Sequence, residues 1–397
     1  MKRNIAIIVQ KLNGGGAERT ASNLSFLLAN KYNVHLIVFD GRNIKYPYAG
    51  ELHNLKLPPV NGKLGKIQNM MARIEEVKKI KKTCEIDAAI SLMDGANLVN
   101  VLSKGKEKIL TSIRIQMSQS RNKDMITRVQ TRVSMRQIAK KSDYVVALSK
   151  GVEKDLIDNY SIPKHKAVTI YNPCDGAMLK NRAMVHVADA AEMPVHSVTT
   201  MGRLDSQKGQ WHLIRAFKKV ISDIPDAQLY ILGEGGLEEK LKKLTNDLGL
   251  NDNVKFLGFV EAPHAYIMKS RAFVFPSLFE GLGNVLLEAM ACDTPCIASD
   301  CYSGPREIIA PGTSVKEQLD AIEFAEYGVL VSVGDKDHFN ANDSLTEAEE
   351  QLAEAIKLLL TNDEMCKVYK QAAEKRIKDF TPEKITGDWV NLIEEIK

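Results

Sequence analysis

Short runs of apolar residues recur along the chain, and each is followed by a longer stretch in which apolar positions return every three or four residues. The short runs are rich in Val, Ile and Phe, which is typical of strands buried on both faces. The longer stretches have the period of amphipathic helices. This alternation predicts an α/β fold in which helices wrap parallel sheets. The strands predicted in the first half are 5–9, 34–39, 86–90, 108–113, 144–148 and 167–170.

The same pattern divides the chain into two domains. Its 397 residues exceed what one hydrophobic core usually supports. The alternation stops after the sequence Tyr-Asn-Pro-Cys-Asp at 171–175 and resumes with a strand at 195–201. We therefore predict a first domain over 1–178, a linker over 179–194 and a second domain over 195–381, followed by a last helical stretch.

Composition is that of a soluble globular protein, with 44% hydrophobic and 26% charged residues. No run of 18 or more apolar residues occurs, and the apolar run near the first residue is too short for a secretory signal. We therefore expect a cytoplasmic protein. The six cysteines form no CxxC pair and have no histidine spacing suited to zinc. Buried thiols are the favoured interpretation, and no metal site is predicted.

Positive charge is concentrated in one part of the chain. The net charge is only +4, but residues 61–141 carry 18 Lys and Arg against 7 Asp and Glu, an excess of 11. Two predicted helices in this region, 64–82 and 122–141, are basic. The first has apolar residues at helical spacing, at positions 64, 67, 71, 74 and 77. The second repeats arginine every four residues, at Arg128, Arg132 and Arg136.

These basic helices have two explanations. A solvated helix face accounts for such a stripe without any ligand. Two basic helices in one domain also favour an anionic partner, for which a membrane surface fits best, because each cation near anionic lipid contributes about 1 kcal/mol. Nucleic acid is disfavoured, since no aromatic residues are interleaved for base stacking.

The segment 276–290 predicts a strand end, a glycine loop and a helix. Asn284 or Gly283 is placed to cap that helix. The first N–H groups of a helix lack partners within it and its dipole is positive there, which suits a phosphate. Glu280 and Glu288 bracket this anion site, about 12 Å apart if the span is helical, which is too far for a glycosidase acid and base pair. A solvated Glu280 and a surface Glu288 are the simpler alternative.

A second strand-to-helix loop carries two cations. The strand at 195–201 ends in Gly202, and Arg203 and Lys208 follow within the next turn. Both side chains are placed to converge on one anion, the arginine as a planar fork and the lysine as a point charge. Two surface cations at a helix start are the alternative. The sequence Ile-Leu-Gly-Glu-Gly-Gly at 231–236 ends the next strand, but it lacks the Gly-Lys-Ser/Thr ending of a P-loop.

The first strand leads into a glycine loop in the same way. Gly14, Gly15 and Gly16 precede Glu18 and Arg19 at the start of a helix. The spacing is not GxGxxG, so a nicotinamide cofactor is disfavoured. Glu18 and Arg19 also suit a first-turn match to the helix dipole.

Taken together, these motifs resemble those of the family 4 retaining glycosyltransferases. The segment 276–290 with Glu280 and Glu288 resembles the family signature, and Arg203 and Lys208 resemble the family's diphosphate-binding pair. The resemblance implies the GT-B fold, in which two Rossmann-like parallel-sheet domains face each other across a cleft. It also implies that the last helix, 382–397, crosses back to the first domain.

The resemblance implies roles for individual residues. Glu288 would hold the donor ribose, Glu280 would face the transferred sugar, and Arg203 and Lys208 would bind the diphosphate. Arg203, Lys208 and Glu280 are the predicted catalytic residues. Arg114, with Arg128, Arg132 and Arg136, is predicted on the acceptor and membrane side. The predicted donor-binding residues are Gly15, Gly16, Gly202, Arg203, Lys208, Gly233, Glu280, Gly281, Leu282, Gly283, Asn284 and Glu288.

The predicted function is sugar transfer. We expect a retaining, metal-independent enzyme without a cofactor that moves a sugar from a nucleotide-sugar, with UDP as the expected nucleotide, to a glycan or lipid-linked saccharide at the inner membrane surface. The Asp335-Lys336-Asp337 sequence is a formal D-x-D, but turn and cap chemistry is favoured over a metal site. The alternatives are a nucleotide-sugar epimerase of the same fold and a non-catalytic subunit that binds a nucleotide-sugar.

Overall fold

The computed structural model divides into two compact units. The N-terminal unit comprises Met1–Asn172 and Pro382–Lys397, and the C-terminal unit comprises Pro173–Thr381. No helix within the described ranges combines the length and apolar character needed to cross a bilayer. The residues that the structure describes are 2–118, 125–190, 192–313, 319–334 and 338–395.

Strands and helices alternate along most of the chain. The strands are β1 (Asn4–Val9), β2 (Asn33–Val38), β3 (Glu51–Asn54), β4 (Ala88–Leu92), β5 (Lys108–Ile113), β6 (Tyr144–Ala147), β7 (Ala167–Thr169), β8 (Ser197–Met201), β9 (Gln228–Leu232), β10 (Val254–Gly258), β11 (Ala272–Phe275), β12 (Cys296–Ser299), β13 (Glu323–Ala325) and β14 (Gly328–Val331). The helices are α1 (Gly16–Ala29), α2 (Lys63–Thr83), α3 (Asp94–Leu102), α4 (Met125–Lys141), α5 (Lys150–Tyr160), α6 (Gly176–Val185), α7 (Gln210–Asp223), α8 (Glu238–Asp247), α9 (Pro263–Lys269), α10 (Asn284–Ala291), α11 (Pro305–Ile309), α12 (Glu347–Thr361), α13 (Asp363–Ile377) and α14 (Pro382–Glu394). Short 3₁₀ helices cover Val187–Ala190 and Lys378–Phe380.

The N-terminal unit is built on a parallel sheet with strand order β3-β2-β1-β4-β5-β6-β7. Successive strand residues point to opposite faces, so a buried strand contributes to two cores. Ile5 and Ile7 of β1 pack on one face in a cluster that includes Trp389 of α14. Ala6 and Ile8 pack on the other face. The prediction that the last helix returns to the first domain is therefore confirmed.

The C-terminal unit holds a second sheet, ordered β10-β9-β8-β11-β12-β14-β13. All its neighbours are parallel except β13, which pairs antiparallel with β14. Trp211 and Phe217 of α7 are fully buried in the core of this unit, together with Ile356 and Leu359 of α12. The predicted α/β architecture with two parallel-sheet units is confirmed.

The segment predicted as an irregular linker, 179–194, is largely helical and lies in the C-terminal unit. Asp175 caps α6, because its side chain accepts a hydrogen bond of 2.9 Å from the backbone N–H of Met178. Leu179 and Ala183 bury the inner face of this helix. A capping aspartate followed by helix formers is the sequence signal for this helix.

Two edge strands were also absent from the prediction. β3 has the sequence Glu-Leu-His-Asn, and β13 has the sequence Glu-Phe-Ala. Neither has a fully buried residue, so neither carries the apolar run that revealed the central strands. An edge strand is held by backbone pairing to one neighbour and needs no apolar run of its own.

The first basic helix, α2, is arranged differently from the prediction. Of its predicted apolar face, only Val77 is buried, and Leu64, Ile67 and Met71 are 70%, 62% and 61% exposed. Lys81 is buried rather than solvated, with its Nζ 2.8 Å from a carboxylate oxygen of Glu107. Burial lowers the pKa of Lys81 to about 8.

Candidate functional site

Four loops meet at one edge of the C-terminal sheet. They follow β8, β9, β11 and β12, which are neighbours in the sheet and end at the same edge. We call them the four-loop site, and they cover residues 202–209, 233–237, 276–283 and 300–304. Ligands on parallel sheets bind at this carboxyl edge of the strands.

Hydrogen bonds join these loops to one another. The backbone N–H of Leu204 donates to the carbonyl of Glu234 at 3.0 Å, and the N–H of Leu278 donates to the carbonyl of Gln207 at 2.8 Å. Ser303 Oγ donates to the carbonyl of Gly281 at 3.0 Å. Most of the residues predicted at the donor site are therefore brought into one region.

Gly209 allows the closest of these approaches. Its φ is +61°, and a Cβ at this position would lie 2.3 Å from the carbonyl oxygen of Pro276. A side chain would clash with the backbone of the neighbouring loop and strain its own backbone as well. The glycine after Lys208 therefore keeps that lysine close to the loop that carries Glu280.

Lys208 and Glu280 form the central ion pair. Lys208 Nζ lies 2.6 Å from Glu280 Oε1, and the two side chains are only 14% and 9% exposed. The ammonium also lies 5.3 Å from the centre of the Phe275 ring. Screening by water is weak for a pair this buried, so the site holds a positive and a negative charge in close contact. An anion that enters here meets a cation already held in position.

A thiol lies close to this pair. Burial raises the pKa of Cys301 well above its ordinary value, and the negative charge of Glu280 acts in the same direction. Cys301 is therefore an uncharged, apolar neighbour of the ion pair. The sequence indicated a buried thiol here but not its place beside Glu280.

Arg203 lies on the same loop as Lys208 but points to solvent. Its side chain is 74% exposed, and Nη2 lies 3.2 Å from Asp205 Oδ2. Its role in binding the same anion as Lys208 therefore stays a prediction, because its described contacts are with its own loop.

The start of α10 supplies backbone donors. Gly283 is the N-cap residue, with φ +91°, and Asn284 is the first helical residue. In the described part of the chain, no acceptor is found for the backbone N–H groups of Leu282 and Gly283. Because a helix N-terminus attracts negative charge, these amides are available to an anion at the start of α10.

Glu288 lies on α10 and has a partner that the sequence did not reveal. Its Oε2 is 3.0 Å from Nε2 of His264, which is buried on α9. The other ring nitrogen of His264 is buried and has no hydrogen-bond partner among the described residues. The two residues are 24 positions apart, and no motif links them. His264 orients the carboxylate that was predicted to hold a ribose.

The glycine loop of the N-terminal unit opens α1. Gly15 is the N-cap, and α1 begins at Gly16. Glu18 is buried, and its carboxylate folds back over Gly15, where an added Cβ would lie 1.9 Å from Oε2. The first-turn role expected of Glu18 matches this position. Donor contacts of Gly15 and Gly16 stay a prediction.

Arg114 follows β5 and is held by neutral groups. Nη2 donates to Asn172 Oδ1 and, at 3.2 Å, to Thr20 Oγ1. Burial lowers the pKa of Arg114 to about 10, so the side chain remains charged at neutral pH. Among the described residues, no carboxylate forms an ion pair with it.

The second basic helix presents its arginines to solvent. Met135 and Ile138 bury one face of α4, whereas Arg128, Arg132 and Arg136 are exposed. This agrees with either a solvated face or a docking surface. The D-x-D sequence at 335–337 lies outside the described residues.

Known proteins are similar to this chain in sequence. The model of Glycosyltransferase Family 4 matches residues 14–177, and the model of Glycosyl transferases group 1 matches residues 193–376. A Campylobacter jejuni protein, N-acetylgalactosamine-N,N'-diacetylbacillosaminyl-diphospho-undecaprenol 4-alpha-N-acetylgalactosaminyltransferase, is 28% identical over 97% of this chain and 98% of its own length. An uncharacterised glycosyltransferase of Methanocaldococcus jannaschii is 40% identical over 49% of this chain, and the match spans 48% of that protein.

Solved structures show the fold. The crystal structure of Anabaena HepE in complex with UDP superposes with a TM-score of 0.74 at 18% identity, and the superposition covers 100% of both chains. The two parallel-sheet units are those of a GT-B glycosyltransferase. With family models matched over both units, the chain belongs to glycosyltransferase family 4.

Proposed function

We propose that the chain is a retaining glycosyltransferase that moves a sugar from a UDP-sugar to a lipid-linked saccharide at the inner membrane surface. The observation that carries the proposal is the Lys208–Glu280 pair, at 2.6 Å, beside the start of α10. In this pair, Lys208 is the cation proposed to bind the leaving diphosphate, and Glu280 is the carboxylate proposed to face the sugar. UDP is the ligand of the HepE structure and is the nucleotide proposed here.

The catalytic task is to stabilise negative charge on the departing diphosphate. In this proposal Lys208 and the amides of Leu282 and Gly283 bind that charge, and each charge-assisted hydrogen bond contributes about 1.5–3 kcal/mol. Arg203 joins them by turning from Asp205 to the bound diphosphate. These groups supply positive charge from the protein itself, which supports transfer without a divalent ion.

The two carboxylates have separate roles in this proposal. Glu288, oriented by His264, accepts hydrogen bonds from the ribose hydroxyls. Glu280 faces the transferred sugar in this proposal, and its ion pair with Lys208 holds it in position. A bound diphosphate competes with Glu280 for the Lys208 ammonium. Donor binding therefore places the diphosphate and Glu280 next to the same cation.

Retention follows from attack on the face that the diphosphate leaves. The bond between the anomeric carbon and the phosphate oxygen breaks, and a bond to the acceptor hydroxyl oxygen forms on the same face. The departing phosphate oxygen takes the acceptor proton. No covalent sugar–enzyme intermediate is needed, so Glu280 serves as a positioning and charge-stabilising group.

The acceptor side is proposed to lie in the N-terminal unit. Arg114 is a cation that no described carboxylate neutralises, and it can bind a phosphate of a lipid-linked acceptor. The Campylobacter relative is named for a diphospho-undecaprenol substrate, which has phosphates of this kind. Arginine suits this task because its planar fork binds phosphate oxygens in pairs.

Membrane docking is proposed for the N-terminal half of α2. Leu64, Ile67 and Met71 are exposed together there, and the lysines at 63 and 66 lie beside them. An apolar stripe bordered by lysines suits the boundary between lipid headgroups and acyl chains. The exposed arginines of α4 add to the positive charge of the unit.

Vesicle sedimentation tests this docking. We expect the protein to sediment with vesicles that contain phosphatidylglycerol and to remain in solution with pure phosphatidylcholine. Leu64→Asp with Ile67→Asp should abolish sedimentation, because each change places a charge where an apolar side chain would enter the bilayer. Val368→Asp is the matched control, since Val368 is 51% exposed on the other unit. Sedimentation that the double variant leaves unchanged would contradict the proposal.

A donor panel tests the transfer reaction. The purified chain is incubated with individual nucleotide-sugars, with and without a membrane extract that contains lipid-linked saccharides, and released nucleotide is measured. We expect UDP release that depends on the extract and persists in excess EDTA, and a product with the same anomeric configuration as the donor. A changed sugar without acceptor would identify an epimerase. Release by Lys208→Ala at the wild-type rate would exclude the proposed site.

A further inference from the structure

A cluster of metal-binding side chains lies at the edge of the N-terminal sheet. Strands β2 and β3 are parallel, with His35 opposite Glu51 and Ile37 opposite His53. Alternate residues of a strand share a face, so His35, Glu51 and His53 lie on the same face of this strand pair. Cys84 follows directly after α2. We call His35, Glu51, His53 and Cys84 the edge cluster.

Cys84 is held against the sheet by its own backbone. Its N–H donates to the carbonyl of Ile80 at 2.9 Å, and its carbonyl accepts a hydrogen bond of 2.8 Å from Asn4 Nδ2. Asn4 is the first residue of the central strand β1. The position of the thiol is therefore fixed by a helix end and a sheet, not by a long loop.

The spacing of the ligand atoms fits one ion. His35 Nδ1 and His53 Nε2 are 3.0 Å apart, and the Glu51 carboxylate is 3.5 Å from the first and 3.7 Å from the second. One ligand atom from each of His35, His53 and Cys84 lies within 4.8 Å of the others. Tetrahedral zinc with bonds of about 2.0–2.3 Å places its ligand atoms about 3.3–3.8 Å apart.

The kinds of ligand also agree. Two imidazoles, a thiolate and a carboxylate form a donor set that suits zinc, whereas magnesium and calcium prefer oxygen alone. On binding, Cys84 releases its proton to solvent and coordinates as the thiolate.

An ion can reach the edge cluster from outside. His35, Glu51 and Cys84 line a cavity of about 570 Å³. Cys84 is the one cysteine of the six that is not fully buried. A hydrogen bond between the two histidines alone would explain their contact, but it would not explain why the Cys84 thiol lies within 4.8 Å of both ring nitrogens.

We infer that His35, Glu51, His53 and Cys84 bind one Zn²⁺ ion in a structural site that fastens the edge strand β3 to β2 and to the end of α2. Four protein ligands close the coordination sphere, as in structural zinc sites, so this ion takes no part in sugar transfer. The inference stands apart from the proposed function, because none of its ligands belongs to the four-loop site.

Metal titration tests the inference. The full chain, freed of any affinity tag and stripped with a chelator, is titrated with Zn²⁺ in competition with a chromogenic indicator. We expect one ion per chain, and a weakening of about tenfold or more in His53→Asn and in Cys84→Ser. The matched controls are His165→Asn, at an exposed histidine, and Cys366→Ser, at a buried cysteine, and both should bind as the wild type does.

Cobalt gives a second readout. Co²⁺ in the wild type should show the strong visible bands of tetrahedral coordination together with thiolate charge-transfer absorption, and Cys84→Ser should lose the charge-transfer band. Glu51→Gln keeps the inference testable if another variant fails to fold, because the Glu51 side chain is 66% exposed and its change should weaken binding without unfolding. Wild-type affinity in Glu51→Gln and His53→Asn, or no Zn²⁺ bound by the stripped wild type, would overturn the inference.

Discussion

The four-loop site and the edge cluster are both groups of charged and polar side chains at a sheet edge, but they are encoded differently. The four-loop site comes from segments that all contain glycines, and three of them, 202–209, 233–237 and 276–283, follow a predicted strand. The edge cluster comes from two strands and a helix end, and no motif connects its members. A site made by loops after strands can therefore be recognised in the sequence, whereas a site made by strand pairing depends on register.

The largest effect that separates the two regions is expected from Lys208→Ala. Removing the ammonium takes away a charge placed for the leaving diphosphate, so kcat for UDP release should fall by about 10² to 10³-fold. Zinc affinity should not change. Lys243→Ala is the control, because Lys243 is a 75% exposed surface lysine of the same unit. A normal kcat in Lys208→Ala would contradict the assignment of the four-loop site as the place where the diphosphate binds.

Removing zinc should lower the stability of the N-terminal unit without changing sugar transfer. The chain has two tryptophans, Trp211 in the C-terminal unit and Trp389 in the N-terminal unit, so Trp211→Phe leaves a reporter for the unit with the edge cluster. At a hundredfold excess of zinc over its Kd, the free energy of unfolding of that unit should rise by about 2.7 kcal/mol. UDP release by the folded chain should be unaffected by chelation.

Two results would contradict the expectation that zinc stabilises the N-terminal unit and takes no part in transfer. A zinc-dependent shift that persists in Trp211→Phe combined with His53→Asn would place the ion elsewhere. Loss of transfer on chelation, while Trp389 still reports a folded unit, would make the metal part of the reaction.

A smaller effect should separate the two carboxylates within the four-loop site. Glu288→Gln should raise KM for the donor about tenfold and leave kcat nearly unchanged, since the lost hydrogen bonds lie at the ribose and not at the reacting bond. Glu239→Gln, at a side chain that is 92% exposed, is the control. An equal fall in kcat and kcat/KM would instead place Glu288 at the reacting sugar.

The smallest effect concerns the buried Lys81 of the N-terminal unit. Because burial lowers its folded-state pKa to about 8, the unfolded chain binds more protons between pH 8 and the ordinary lysine value of 10.5. The free energy of unfolding that Lys81 contributes therefore rises with pH, by about 1 kcal/mol from about pH 7.5 to about pH 9.

Urea unfolding followed at Trp389 measures this change against Lys81→Met combined with Glu107→Gln. The double variant removes both charges of the buried pair, so it should lack the rise. A wild type whose stability relative to the double variant stays constant over the same pH interval would show that folding does not lower the pKa of Lys81.

Much of the fold was predictable because buried strands of a parallel sheet must be apolar on both faces. The central strands, the two units and the final helix followed from that requirement. Helix α6 was missed although Asp175 signals its start, and β3 and β13 were missed because edge strands need little apolar sequence. In the four-loop site, glycine loops and cations located Lys208 and Glu280, but nothing in the sequence located His264 opposite Glu288.

The alternation of strands and helices, the family and the loops at which a diphosphate is expected can all be read from the sequence, because each depends on residues that are near neighbours in the chain. Tertiary structure alone decided that Lys208 reaches Glu280 and that Lys81 is buried against Glu107. It also decided that His35, His53 and Cys84 converge. These contacts depend on strand order, register and the end of a helix, which are set by packing and pairing over long distances in the chain.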